Sequence, residues 1–159
     1  MPDIELTGET KKQRIDRELN ELLGELRIAL PGVQMLFAFL LTVPFYARFD
    51  SLAGPSRRAF FLAFVFTTIG AVFMIAPSAN HRLSFRAQDK ERLLLRANRF
   101  AIVGVSCLAI AMTGVMYFIS GTVLGQDYAP YSAGATATLI AATWYLVPIV
   151  RKFEHHRMP

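Results

Sequence analysis

Three scarcities mark the sequence. Cys107 is the only cysteine in 159 residues, which excludes an intrachain disulfide and any cysteine-based metal cluster. It lies inside an apolar run and reads as a small buried hydrophobe. Charge is the second: 18% of residues are Asp, Glu, Lys or Arg, against about a quarter in a typical soluble domain. The shortage is local, because charges crowd into a few segments and vanish from the rest. The third is recognisable chemistry, for there is no serine–histidine–acid arrangement, glycine-rich phosphate loop or cysteine cluster. Neither a catalytic residue, nor a cofactor, nor a metal site is expected. The first thirty residues also lack the apolar core of a signal peptide, with acids and bases alternating from Glu5 to Arg17, so the chain is expected to stay unprocessed.

The length fits one domain, and its apolar stretches set the fold class. A helix crossing a bilayer core needs about 20 mostly apolar residues. Four stretches approach that, at about 33–46, 59–76, 100–124 and 133–150, and none has an acid or base in its middle. Each such charge would cost about 2.5 to 3.5 kcal/mol. The expectation is an all-α polytopic membrane protein. A cytoplasmic segment (1–31) with an amphipathic helix precedes a four-helix transmembrane domain (32–150) and a cytoplasmic tail (151–159). The first span is the shortest and carries Pro31, Gln34 and Pro44, which makes it the span to give up first, as a re-entrant or tilted segment.

Basic residues orient the chain. In a four-span topology, 14 of the 17 Lys and Arg fall on the side of the termini and the second loop, and three (Arg48, Arg57, Arg58) on the other. The positive-inside rule then places both termini in the cytoplasm, with the chain in the inner (plasma) membrane. The net charge of +5 is explained by anionic lipid headgroups beside the spans, and no nucleic-acid partner is expected.

Two segments outside the spans carry helical signals. Ile15, Leu19, Leu22, Leu23, Leu26, Ala29 and Leu30 recur at helical spacing. Thr10 and Gln13 fit a capping box, and Pro31-Gly32 is expected to bend the chain before the first span. This helix could lie on lipid or against the bundle. From Ala87 to Arg99 a second helix is expected to lead directly into the third span.

Few residues suggest a site. Ala133, Ala137 and Ala141 repeat every fourth residue beside Gly134, Thr138 and Ala142, and shorter rows stand at Ala63, Thr67, Ala71 and at Ala109, Thr113. Such rows let helix backbones approach where lipid supplies no hydrophobic drive, within one bundle or between copies. His81, Arg82, Arg86 and Lys90 form the candidate lipid or anion contact, with the three basic residues on one helical stripe; topology determination alone would also explain them. His155 and His156 beside Glu154 make a poor chelate without further ligands. The hydroxyls of the spans can bond back to their own helices, and Tyr and Trp residues lie mainly toward span ends, as interfacial anchors do.

The run Glu18-Leu19-Asn20-Glu21-Leu22-Leu23, with Leu30-Pro31-Gly32-Val33-Gln34 and Leu40-Leu41-Thr42-Val43-Pro44-Phe45, resembles the opening of a family of small uncharacterised four-helix inner-membrane proteins of actinobacteria. Ala76-Pro77, His81-Arg82, Phe85-Arg86 and Asn98-Arg99 fit the same pattern. The resemblance implies the four-helix architecture and no activity.

The expected function is therefore non-enzymatic: an accessory subunit of a larger membrane complex, or a homo-oligomer. Contacts would come from Leu19, Leu22, Leu23 and Leu26 and from Ala133, Ala137 and Ala141. One alternative is a small oligomeric transporter or channel lined by Gln34, Thr42 and the threonines of the fourth span. Another is a lipid-responsive sensor at the membrane surface.

Overall fold

A computed structural model describes residues 10–47, 49–83 and 90–146. Helix α1 spans Lys11–Thr42 and is followed by short 3-10 turns at Val43–Phe45 and Phe49–Ser51. Helices α2 (Gly54–Leu83), α3 (Lys90–Val123) and α4 (Ala129–Ile140) complete the order, and π-type turns continue α4 over Ala141–Leu146. The described regular structure is all helical.

Three segments, Gln13–Phe45, Gly54–Asn80 and Glu91–Val123, are long and apolar enough to cross a membrane. Only 17%, 28% and 17% of their most apolar windows are buried within the chain. Contiguous apolar exposure on that scale is rare on a water-soluble monomer, whereas helices satisfy their backbone internally and tolerate lipid on the outside. The architecture is compatible with a membrane protein.

Of the four expected spans, the first three coincide with these segments. Helix α4 leaves α geometry after 12 residues, short of the length a bilayer core demands, and positions 147–150 of the expected fourth span lie outside the described residues. Conversely, the first span, the one to give up on sequence, qualifies because its helix is longer than its apolar run.

The length of α1 overturns one expectation. Pro31-Gly32 does not bend the chain out of helical conformation, and α1 passes through it. Proline forfeits its hydrogen bond to the carbonyl four residues back, but Pro31 points outward, away from the packed face. The inner face is unbroken: Leu19, Leu26, Val33 and Leu40 recur every seven residues, each at most 4% exposed. A seven-residue repeat keeps one stripe facing its neighbours along a long helix. The N-terminus carries the expected capping box, with the Thr10 N–H donating to Gln13 Oε1 at 2.9 Å and the Gln13 N–H to Thr10 Oγ1 at 3.4 Å.

The chain forms two compact units, residues 1–39 with 67–107 and residues 40–66 with 108–159. In the first, Gly104 of α3 lies so close to α2 that a Cβ there would sit 2.6 Å from Met74 Cγ and 3.2 Å from the Gly70 carbonyl oxygen. In the second, a Cβ at Gly114 would lie 3.2 Å from Ala63 Cβ and 3.3 Å from the Ala59 carbonyl oxygen. The buried positions of α2 (Ser56, Phe60, Ala63, Thr67, Gly70, Met74, Pro77) alternate by four and three. Those of α3 are nearly all small: Ala97, Ala101, Gly104, Cys107, Ala111, Ser120 and Gly121. Small residues facing α2 admit the close backbone approach. Phe60 adds aromatic bulk in the second unit, with ring centroids 5.3 Å from Phe49 and 5.6 Å from Phe118.

Helix α3 ends at a glycine turn. Gly125 has φ of 108°, a conformation open chiefly to glycine, and Pro130 starts α4 within its first turn.

Glycine substitutions should separate packed from open positions. Gly104→Ala is expected to lower stability by about 1–3 kcal/mol through overpacking, while Gly32→Ala, with nothing within 4 Å of a new Cβ, should raise it by up to about 1 kcal/mol through helix propensity. Thermal unfolding of both variants in bicelles checks the pair, and equal effects would contradict the packing described.

Candidate functional site

The helix ends in the first unit carry the polar surface available for recognition. Lys11 of α1 pairs with Glu91 of α3 at 2.8 Å, which sets the two N-terminal ends side by side. Below this pair the helices leave a cleft of about 320 Å³ lined by Glu18, Glu21, Leu22 and Glu25 of α1 and by Leu94, Leu95 and Asn98 of α3. The glutamates share a face because they stand three and four residues apart. Two are held in ion pairs within their own helix, Arg14–Glu18 at 2.9 Å and Arg17–Glu21 at 3.0 Å. Pairs this exposed contribute about 0.3–0.5 kcal/mol, so an incoming cation can replace either arginine at little cost. The cleft combines negative charge at its rim with leucines on its wall.

A second cleft of about 430 Å³ lies on the α2 side of α3, lined by Asn80, Leu93, Arg96, Arg99 and Phe100. Arg96 and Arg99 stand three residues apart and share the lining with Asn80 of α2. No carboxylate lines it among the described residues. The two sides of the α3 N-terminal half therefore differ in sign.

The expected lipid or anion contact falls largely outside this description. Arg86 lies outside the described residues. His81 and Arg82 belong to α2 and Lys90 to α3, but their side chains are also outside it. The arginines brought together in a cleft are instead Arg96 and Arg99. They were visible as basic residues, but only the antiparallel placement of Asn80 on α2 shows which face they share.

The expected interface residues divide. Leu19 and Leu26 are buried within the chain, and Leu22 and Leu23 are half-buried, so the amphipathic stripe of α1 packs on the first unit. In α4, Ala133 is buried but Gly134, Ala137, Thr138 and Ala141 are exposed. The α4 hydroxyls bond back to their own helix: Thr136 Oγ1 to the Ser132 carbonyl at 2.9 Å, Thr138 to Gly134 at 2.8 Å and Thr143 to Leu139 at 2.8 Å. Those bonds leave the threonines poorly placed to replace an ion's hydration shell. Among the described residues no group of three or more His, Cys, Asp or Glu could hold a metal ion; His155 and His156 lie outside them.

One polar node was not anticipated. Gln126 Nε2 donates to Ser56 Oγ at 2.5 Å and to the Gly121 carbonyl oxygen at 3.4 Å. Ser56 is 1% exposed, and the Gln126 Oε1 atom is buried without a partner. The node ties the turn after α3 to the start of α2 across a sequence separation of 70 residues. No local sequence signal marks a pair so distant.

The chain belongs to a family of unknown function (DUF6328), whose model matches residues 8–148. The matched range runs from before α1 through all four helices. No curated protein and no solved structure matches the chain.

The node makes a double-mutant prediction. Ser56→Ala alone should cost about 0.5–1.5 kcal/mol by removing the shorter of the two hydrogen bonds that the Gln126 amide nitrogen donates. Adding Gln126→Met, which removes the amide altogether, should recover most of that loss. Unfolding in bicelles measures both, and additive losses would show that the hydrogen bond is not what the pair contributes.

Proposed function

We propose that this protein is a non-enzymatic accessory subunit of the plasma membrane that holds a partner protein in its α1–α3 cleft. The chain crosses the bilayer four times, the last span starting with α4, and both termini are cytoplasmic. At 32 and 34 residues, α1 and α3 reach about 48 and 51 Å, well beyond a hydrocarbon core of about 30 Å. Their N-terminal ends project together into the cytoplasm as a two-helix stalk. The observation that carries the reading is the cleft in this stalk, with Glu18, Glu21 and Glu25 beside Leu22, Leu94 and Leu95. It suits a partner helix or extended segment with basic and apolar residues, because the apolar wall contributes affinity and the charges set approach and register. Arg96 and Arg99, on the other side of α3, meet anionic headgroups.

A second reading has its own observation. The exposed Gly134, Ala137, Thr138 and Ala141 of α4 offer a small-residue face for self-association, so an accessory subunit could also be a homodimer. The channel reading is weakened by the back-bonded threonines, and liposome flux above that of empty vesicles would revive it.

Charge reversal tests the cleft. In mild-detergent purification from the native membrane, Glu18→Lys with Glu25→Lys is expected to lose any stoichiometric partner, while Asp127→Lys, at an exposed position in the turn after α3, keeps it. Native mass spectrometry reads the result, and a partner retained by the double variant removes the cleft from the interface. Ala137→Leu tests the second face separately: a homodimer that survives it on native gels does not use α4.

A further inference from the structure

At the N-terminal end of α2 the second unit holds an open groove of about 620 Å³ lined by Phe49, Gly54, Arg57, Arg58, Phe60, Phe61 and Leu62. Its wall is almost wholly hydrocarbon and its rim is two guanidinium groups. We propose that this groove is a phospholipid site, taking one acyl chain against Phe49, Phe61 and Leu62 and the phosphate of an anionic headgroup at Arg58.

The position of the groove selects a lipid. Arg58 is the last charged residue before the uncharged stretch that begins at Ala59 and continues past Asn80, so the rim marks the level where headgroups give way to chains. Phe61 and Leu62 are 62% and 54% exposed, which opens the wall to the bilayer rather than to water. The rim is also pre-arranged. Arg57 Nη2 donates to the Asp50 carbonyl oxygen at 2.8 Å, and its guanidinium lies 5.8 Å from the Phe49 ring centroid. Phe49 in turn meets Phe60 edge-to-face. Arg57 is thus committed to holding the turn, and Arg58 is the cation left for the ligand. No carboxylate lines the groove among the described residues. A guanidinium above a hydrocarbon wall recognises an amphiphile with an acidic head, and in a membrane an anionic phospholipid has that chemistry. The inference rests on the chain crossing a membrane and is independent of the α1–α3 cleft.

A local probe tests it. The full chain carrying Trp144→Phe, which removes the one native tryptophan, and Phe61→Trp is reconstituted in phosphatidylcholine vesicles. These contain a small fraction of brominated-chain phosphatidylglycerol or, in parallel, brominated-chain phosphatidylcholine. Quenching by the phosphatidylcholine reports that position 61 is in the bilayer, and its absence with both lipids overturns the membrane reading and the site together. With the site present, phosphatidylglycerol is enriched at the probe about fivefold, the effect of one basic residue at an anionic surface. Arg58→Gln brings the two lipids level and Arg58→Lys keeps most of the difference. Equal quenching by both lipids before any arginine is changed overturns the proposal, as does enrichment that survives Arg58→Gln. Enrichment abolished by inorganic phosphate would assign the arginine to a free anion instead, and overturns the phospholipid site as well.

Discussion

Everything in this fold depends on how closely α2 and α3 approach. Lipid tails are as apolar as leucine, so transfer of side chains out of water cannot hold two helices together inside a bilayer. What remains is contact between backbones, and that requires side chains small enough to let them meet. Gly104 against Gly70 and Met74, and Gly114 against Ala59 and Ala63, meet the requirement, one in each compact unit. Dispersion is weak per atom pair and large only when many atoms touch at optimal distance. A methyl group added at either glycine would separate the surfaces just where they fit.

The same constraint explains which parts of the fold could be read in the sequence. Apolar stretches and charge clusters are visible without any pairing information, and they placed the apolar stretches that α1, α2 and α3 carry. The seam was visible too, had the period been taken as seven. Ala97, Gly104 and Ala111, and Cys107, Gly114 and Gly121, recur at that spacing on α3, as Leu19, Leu26, Val33 and Leu40 do on α1. Reading the first leucines as a separate amphipathic helix divided one repeat at Pro31. A proline rule is local and the packing that overrides it is not. Since Pro31 faces outward, its missing hydrogen bond costs α1 nothing on the packed side.

The clefts were harder to foresee, because each is made by two elements far apart in sequence. Glu18, Glu21 and Glu25 read as the solvated side of an amphipathic helix until Leu94, Leu95 and Asn98 close the cleft opposite them. Arg96 and Arg99 were part of a basic run, and only Asn80 distinguishes them from the rest. Ser56 and Gln126 are ordinary polar residues on their own. A sequence pattern shows which face of a helix is occupied, and the partner of that face is a property of the topology.

Charge excluded from the spans must gather at their ends, and this determines where recognition occurs. A buried ionisable group within a span would advertise an ion path; the described spans have none at their centres, and their hydroxyls are largely taken up by their own backbones. The extra length of α1 and α3 has no use in crossing a bilayer. On the proposed topology it would lift the charged, leucine-walled cleft clear of the headgroups. Helix α1 continues through Pro31, so the cleft residues and the apolar stretch that follows them belong to one helix. The proposed accessory role needs only the presentation of such a docking surface, and it asks for no chemistry from the apolar stretches.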